Sequence, residues 1–197
     1  MDPFKSEMVG LPLAKDVADV VTISHSHDDH SASEVITGPV TRESTFVIDR
    51  EGEYEIAGVQ ISAIKTFHDK TSGADRGKNL VFYIIMDGMH VVHLGDICHK
   101  LTESQIEKLG SVDVLIVPVG GTFTLDSVEA LEMIKSIQPS LAIPMHYKTK
   151  GSKIDGLSPL ENFLEKNTLP LYGEPVHKIK LAEGSLPDDT QILIMNG

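Results

Sequence analysis

Apolar positions along this chain fall in short runs broken by turn residues. Residues 18–24 form a brief apolar run ending in polar residues, which predicts a buried strand. Residues 45–67 predict a meander of strands, with turns near Glu51 and Gly52 and near Ala57 and Gly58. Residues 80–87 and 90–94 predict a hairpin around Asp87 and Gly88, a two-residue turn signal.

The pattern then changes. Thr102, Glu103, Ser104 and Gln105 predict a capping box that opens a helix, and Gly110 closes it. Residues 113–119 predict a strand rich in β-branched residues. Asp126 and Glu129 have the spacing of another helix start, and that helix ends near Ile137, before Pro139. Residues 141–145 predict a strand. Ser158, Pro159, Leu160 and Glu161 predict a third helix with proline at its first position. Residues 176–181 and 191–195 predict two late strands. A hairpin-rich first half followed by alternating helix and strand predicts a layered α/β fold. With no repeat and no long linker, residues 1–197 read as one domain.

Composition narrows the class. A chain of 197 residues that is 41% hydrophobic can bury a sizeable core. The single cysteine, Cys98, excludes an intramolecular disulfide. It reads as a buried apolar residue. No secretory signal is visible at the start, and no apolar run approaches the ~18 residues that span a bilayer. These features predict a cytoplasmic protein with no membrane partner. The formal charge of −12 disfavours a partner with a long phosphate backbone, so nucleic acid is not expected. It leaves room for a small anionic substrate met by a local cluster of cations.

The histidines change the picture most. Residues 25–30 read His25, Ser26, His27, Asp28, Asp29, His30, directly after the first predicted strand. On an extended backbone residues i and i+2 point the same way, so His25 and His27 can face one point. A helix starting just afterwards would swing Asp29 and His30 towards a second point nearby. The donors are imidazole and carboxylate without thiolate, which suits zinc and also manganese or iron. The remaining histidines, His90, His93, His99 and His177, read as surface or packed residues.

The run His25, Ser26, His27, Asp28, Asp29, His30 resembles the HxHxDH signature of the metallo-β-lactamase superfamily. His68 after Thr66 and Phe67, Asp96 after Leu94 and Gly95, and His146 after Pro144 and Met145 resemble its later motifs, in the same order. The segments 118–122 and 144–149 are similar to the branch of Zn-dependent hydrolases that includes ascorbate-phosphate lactonase. The resemblance implies a four-layer αβ/βα sandwich. It also implies that Asp2 and Pro3 match the aspartate-proline pair that usually follows a first β-hairpin. The hairpin itself is then expected to be lacking, leaving a sheet edge to be covered by a partner chain, such as a second copy, or by rearrangement.

What the resemblance implies for the site is specific. His25, His27 and His68 hold one divalent ion, and Asp29, His30 and His146 hold the other. Asp96 touches both, and Asp2 braces the loop. Zinc is the first expectation for the two ions. Asp29 is expected to orient the attacking water and handle its proton. Asp28, Asp69 and Asp2 are candidates for supporting the ligand histidines. Tyr147, Lys148, Arg76 and Lys78 are candidates for contacts to an anionic substrate. Gly120, Gly121 and Thr122 could present backbone amides. The expected function is hydrolysis of a small ester, lactone or phosphoester. The alternatives are a phosphodiesterase or nuclease on the same fold, and a metal-bound scaffold without activity. A di-iron redox protein is a further alternative, but such relatives usually carry glutamate where His27 stands.

Overall fold

The hairpin turn at Asp87 and Gly88 takes left-handed angles, φ 52° and 77°, which match the twist of the strands it joins. Those strands are β5 (Lys78–Met86) and β6 (Met89–His93). The computed structural model describes residues 1–13, 17–40 and 44–196. Upstream lie α1 (Ser6–Val9), β1 (Val20–Thr22), β2 (Phe46–Ile48), β3 (Gly52–Ile56) and β4 (Val59–Phe67). Downstream follow α2 (Glu103–Leu109), β7 (Val114–Pro118), α3 (Ser127–Ile137), β8 (Leu141–Met145), α4 (Leu160–Leu164) and β9 (Gln191–Ile192).

Strands β3 to β9 form one seven-stranded sheet in sequence order. Its β3–β6 pairings are antiparallel and its β6–β9 pairings are parallel. The switch falls where helices enter the sequence, because a parallel neighbour needs a crossover connection. Capping works as the residue types dictate. Thr102 Oγ1 accepts the Gln105 N–H, and Asp126 accepts the N–H groups of Val128 and Glu129.

Both faces of the large sheet are covered. Val81, Val92 and Leu94 join Leu115, Ile134 and Phe163 in the main core, packed with the helices. Leu80 and Phe82, on the opposite face of β5, pack with Ile61, Ala63 and Ile48. This two-sided burial explains the unbroken apolar run from 80 to 86. Ile48 belongs to the small sheet, in which β1 and β2 pair in parallel. The mixed α/β layering therefore matches the expected fold class.

Four local expectations need correction. Strand β2 does not continue the meander: it pairs with β1, because Ile48 is buried against the face of the large sheet rather than beside β3. No helix starts within the His25–His30 run; residues 28–30 form a turn closed by the His30 N–H to the His27 carbonyl, 2.9 Å. Pro159 is the extended residue before α4 rather than its first helical residue, since Ser158 is held in backbone bonds to Lys148 and Gly120. Of the late strands, only Gln191–Ile192 forms, with Val176 making a lone bridge to Met195.

The site falls where strand ends converge. His25 follows β1, His68 follows β4, Asp96 follows β6 and His146 follows β8. For β6 and β8 this is the carboxyl end of the parallel part of the sheet, where α/β folds place their ligands.

Candidate metal centre

Asp96 is the hub. Its Oδ2 lies 3.3 Å from His146 Nε2, 3.4 Å from His68 Nε2, 3.5 Å from His30 Nε2 and 3.8 Å from His25 Nε2. His27 closes the group through ring contacts, 4.6 Å from His25 and 5.0 Å from His68 between centroids. Asp29 Oδ2 lies 3.7 Å from His30 Nε2. The structure thus brings together all seven side chains singled out in the sequence. Their donor atoms sort into clusters, among them His25 with His27 and His68, and His30 with Asp96 and His146.

Hydrogen bonding aims these donors. Asp2 accepts the Ser24 N–H at 2.7 Å through Oδ1 and the Ser24 hydroxyl at 2.5 Å through Oδ2. Ser24 has a single hydroxyl proton, so its oxygen accepts from His25 Nδ1, 2.9 Å away. That fixes the His25 tautomer and leaves the Nε2 lone pair facing inwards. Asp2 also stands 3.4 Å from His30 Nδ1. His146 sits at φ 53°, a left-handed angle that a non-glycine residue adopts at a cost. Gly120 makes room for it: a Cβ at 120 would lie 2.0 Å from the His146 carbonyl oxygen.

Electrostatics favour ligation. Burial pushes the His25 imidazole down to about 3, and burial also lowers His68. Both are therefore neutral at physiological pH, the form that binds a metal. His30 loses to burial but gains more from Asp2, Asp96 and Asp29, and is raised to about 9. Burial raises Asp2 and Asp96, yet both end below the usual carboxylate range. His30 and His93 lower Asp2, while His146, His30 and His25 lower Asp96. Among the described residues, His25 Nε2 and Asp96 Oδ1 are buried without a hydrogen-bond partner. Such orphaned acceptors cost about 1–3 kcal/mol each unless something binds them. An unpartnered imidazole nitrogen and an unpartnered carboxylate oxygen, in a nitrogen and oxygen donor set, fit a divalent cation.

The other candidates divide. Arg76 stands at the mouth, its guanidinium 4.2 Å from the centre of the Phe123 ring, beside a shallow cavity lined by His27, His68, Asp96 and His146. Lys78 lines the adjoining groove. Lys148 is turned away, its Nζ donating to the carbonyls of Ser152 and Ile154 at 2.9 and 2.6 Å. The Tyr147 hydroxyl donates to the Met195 carbonyl at 3.3 Å. Asp69 supports no histidine. It accepts backbone N–H groups of Thr71, Gly73, Asp75 and Arg76, and so shapes the loop that carries Arg76. Asp28 is exposed, the Gly121 amide is bonded to the Leu125 carbonyl, and Cys98 is only half-buried.

Sequence reasoning missed Asn79 and Ser24. Asn79 is fully buried, its Oδ1 accepting the Asp96 N–H and its Nδ2 donating to the Leu94 carbonyl and Thr66 Oγ1. A polar residue between Lys78 and the apolar run from Leu80 was the available signal, since a buried asparagine must find partners.

The family profile described as a beta-lactamase superfamily domain matches residues 1–146. A UPF0173 metal-dependent hydrolase of Thermoplasma volcanium is 32% identical over 174 residues, covering 76% of this chain and 75% of its own. A UPF0173 protein of Pyrococcus abyssi is 33% identical over 152 residues, covering 68% of each. A Thermotoga maritima crystal structure, named as a candidate Zn-dependent hydrolase of the metallo-β-lactamase superfamily, superposes with a TM-score of 0.75 at 36% identity, covering 98% of this chain and 87% of the other. These likenesses do not reach the ascorbate-phosphate lactonase branch, which stays an implication of two short motifs. With its strand-end histidines, its hub aspartate and these relatives, the chain belongs to the metallo-β-lactamase superfamily.

Proposed function

We infer that this protein is a metal-dependent hydrolase of small esters, lactones or phosphoesters. The observation that carries the reading is the convergence of His25, His27, Asp29, His30, His68, Asp96 and His146 on one buried centre. The names of relatives such as the Thermoplasma volcanium protein support hydrolysis. His25, His27 and His68 would hold one divalent ion, and Asp29, His30 and His146 the second, with Asp96 shared between them. Zinc is the first choice for this donor set, with manganese or iron as alternatives. When bound, such ions supply Lewis acidity, making hydroxide available near neutral pH and drawing charge from the substrate oxygen.

The chain's own residues do the rest. Asp2 and Ser24 hold His25 in one tautomer. Asn79 fixes the turn that carries Asp96. Asp29, at the rim, would orient the attacking water and take its proton at its carboxylate. Arg76, stacked on Phe123, meets an anionic part of the substrate.

The test is metal analysis of protein purified without chelators, followed by a panel of lactones and phosphodiesters. About two equivalents of metal are expected. The His27→Ala variant should lose more than the 10–100-fold that outer partners of a ligand typically cost. Turnover that survives that substitution refutes the mechanism.

A further inference from the structure

The protein is acidic overall, with a formal charge of −12, yet a groove among the described residues is lined by several cations. The groove has a volume of about 810 Å³ and runs between the small sheet and the β4–β5 face. Its inner end is formed by His25 and His27, so it opens onto the candidate metal centre. Lys65, Arg76 and Lys78 line it. All three are exposed, and among the described residues no carboxylate lies within 4.0 Å of any of them. Some other surface cations are paired, as Lys5 is with Glu34 and Lys100 with Glu132. Exposed lysines such as Lys108 and Lys135 are also without an ion pair among the described residues; what sets these three apart is that they line one groove.

The sheet register places two of the three together. Lys65 pairs with Leu80 and Phe67 with Lys78, so Lys65 and Lys78 are diagonal neighbours on one face. Diagonal pairs stand about 7–8 Å apart, within reach of two long side chains meeting at one anion. Arg76 follows along the same wall, held by Phe123 and by the loop that Asp69 organises. Asp49 and Glu51 line the groove as well, with Asp49 beside Arg50 at 3.4 Å. These belong to the turn after β2, whereas the unpaired cations sit on the wall that leads to His27.

We propose that this groove is an oxyanion subsite in which Lys65, Arg76 and Lys78 hold a phosphate or carboxylate tail of the substrate while the scissile bond lies at the histidine cluster. The substrate class is then an ester or lactone bearing an anionic group remote from the bond that is cut. Three unpaired cations suit a dianion better than a monoanion, and lysine ammoniums meet phosphate as point charges. The proposal rests on the hydrolase reading for the bond that is cut, but the anion site itself does not depend on it.

Two measurements separate the site from the reaction. Inorganic phosphate is titrated into chelator-treated protein, where no metal can bind it, with acetate as the carboxylate arm. Saturable phosphate binding is expected. It should weaken at least about tenfold in a Lys65→Gln/Lys78→Gln variant and fade as salt rises. Both lysines are exposed, so glutamine leaves the packing intact. The holoenzyme is then compared on nitrophenyl esters of propionate, succinate and phosphoglycolate. The ratio of kcat/KM for each charged ester over the neutral one should fall at least about tenfold in the same variant. A larger fall for phosphoglycolate assigns the subsite to phosphate, and a larger fall for succinate assigns it to carboxylate. Phosphate binding that the double variant leaves unchanged, or no binding at all, overturns the proposal. If no ester is cleaved, the hydrolase reading fails and phosphate binding alone decides the subsite.

Discussion

Asn79 grips Asp96 from behind: its Oδ1 accepts the Asp96 N–H at 2.9 Å, while its Nδ2 donates to the Leu94 carbonyl at 2.9 Å. The intervening Gly95 is at φ 57°, and a Cβ there would sit 2.4 Å from Asn79 Oδ1. The turn that presents Asp96 to four histidines is thus clamped by a residue that touches none of them. Asn79→Leu should leave the buried Asp96 amide unsatisfied, costing about 1–3 kcal/mol. Metal affinity, read by competition with a chelator, should fall about 10–100-fold. Asn79→Asp keeps the acceptor for Asp96 but loses both donors, so it should retain more metal affinity than leucine. Equal loss of stability with unchanged affinity in both variants would reduce Asn79 to a core residue.

His25, His27, Asp29 and His30 were legible from residue type, because four donors crowd into one short run after a strand. His68, Asp96 and His146 were legible only through the resemblance of their motifs to the metallo-β-lactamase superfamily. The hairpin at Asp87 and Gly88 and the capping box at Thr102 were legible from residue type as well. The path of β2 was not, because pairing with β1 depends on where Ile48 packs, a long-range property. Lys148 also misled. Its position beside His146 suggests reach into the site, but the carbonyls of the 149–156 loop claim its ammonium. Lys65 escaped notice since only strand register brings it beside Lys78.

Ser24→Ala tests the chain from Asp2 to His25. Without the hydroxyl, His25 Nδ1 loses the partner that fixes its tautomer, and Asp2 loses its 2.5 Å bond. Metal affinity should drop about 10–100-fold, as for other supporting partners of ligand histidines. Chelator competition reads this directly. Nitrogen NMR of the His25 ring should show a mixed tautomer in the metal-free variant and a single one in the parent. A single tautomer in both would show that Ser24 does not set it.

Gly120→Ala tests the close approach that seats His146. The added methyl would lie 2.0 Å from the His146 carbonyl, and the obstacle is backbone that cannot rotate away. Overpacking of this kind typically costs about 1–3 kcal/mol. Metal binding should fall too, because His146 already sits at a left-handed φ of 53° and has little freedom to adjust. Denaturant unfolding and metal stoichiometry check the two effects. Full metal content with wild-type stability would show that β7 and β8 separate freely at this end.

The metal-free protein should be most stable near pH 6.5, because its histidines are shifted in opposite directions. His25 is depressed by burial from 6.5 to about 3, and burial also lowers His68 and His93. Their stabilisation is present above the unfolded value and is lost as pH falls from 6.5 towards 3. His30 is raised from 6.5 to about 9, its burial outweighed by Asp2 and Asp96. Its contribution is complete below the unfolded value and disappears as pH rises from 6.5 through 9. Denaturation midpoints of chelator-treated protein should therefore decline on both sides, and His30→Gln should flatten only the alkaline limb. A metal that binds His30 must displace its proton, so uptake between pH 6.5 and 9 should release protons. Calorimetric titration in two buffers of different ionisation enthalpy measures that release. Identical heats in both buffers at pH 7.5 would mean that His30 is already neutral before the metal arrives.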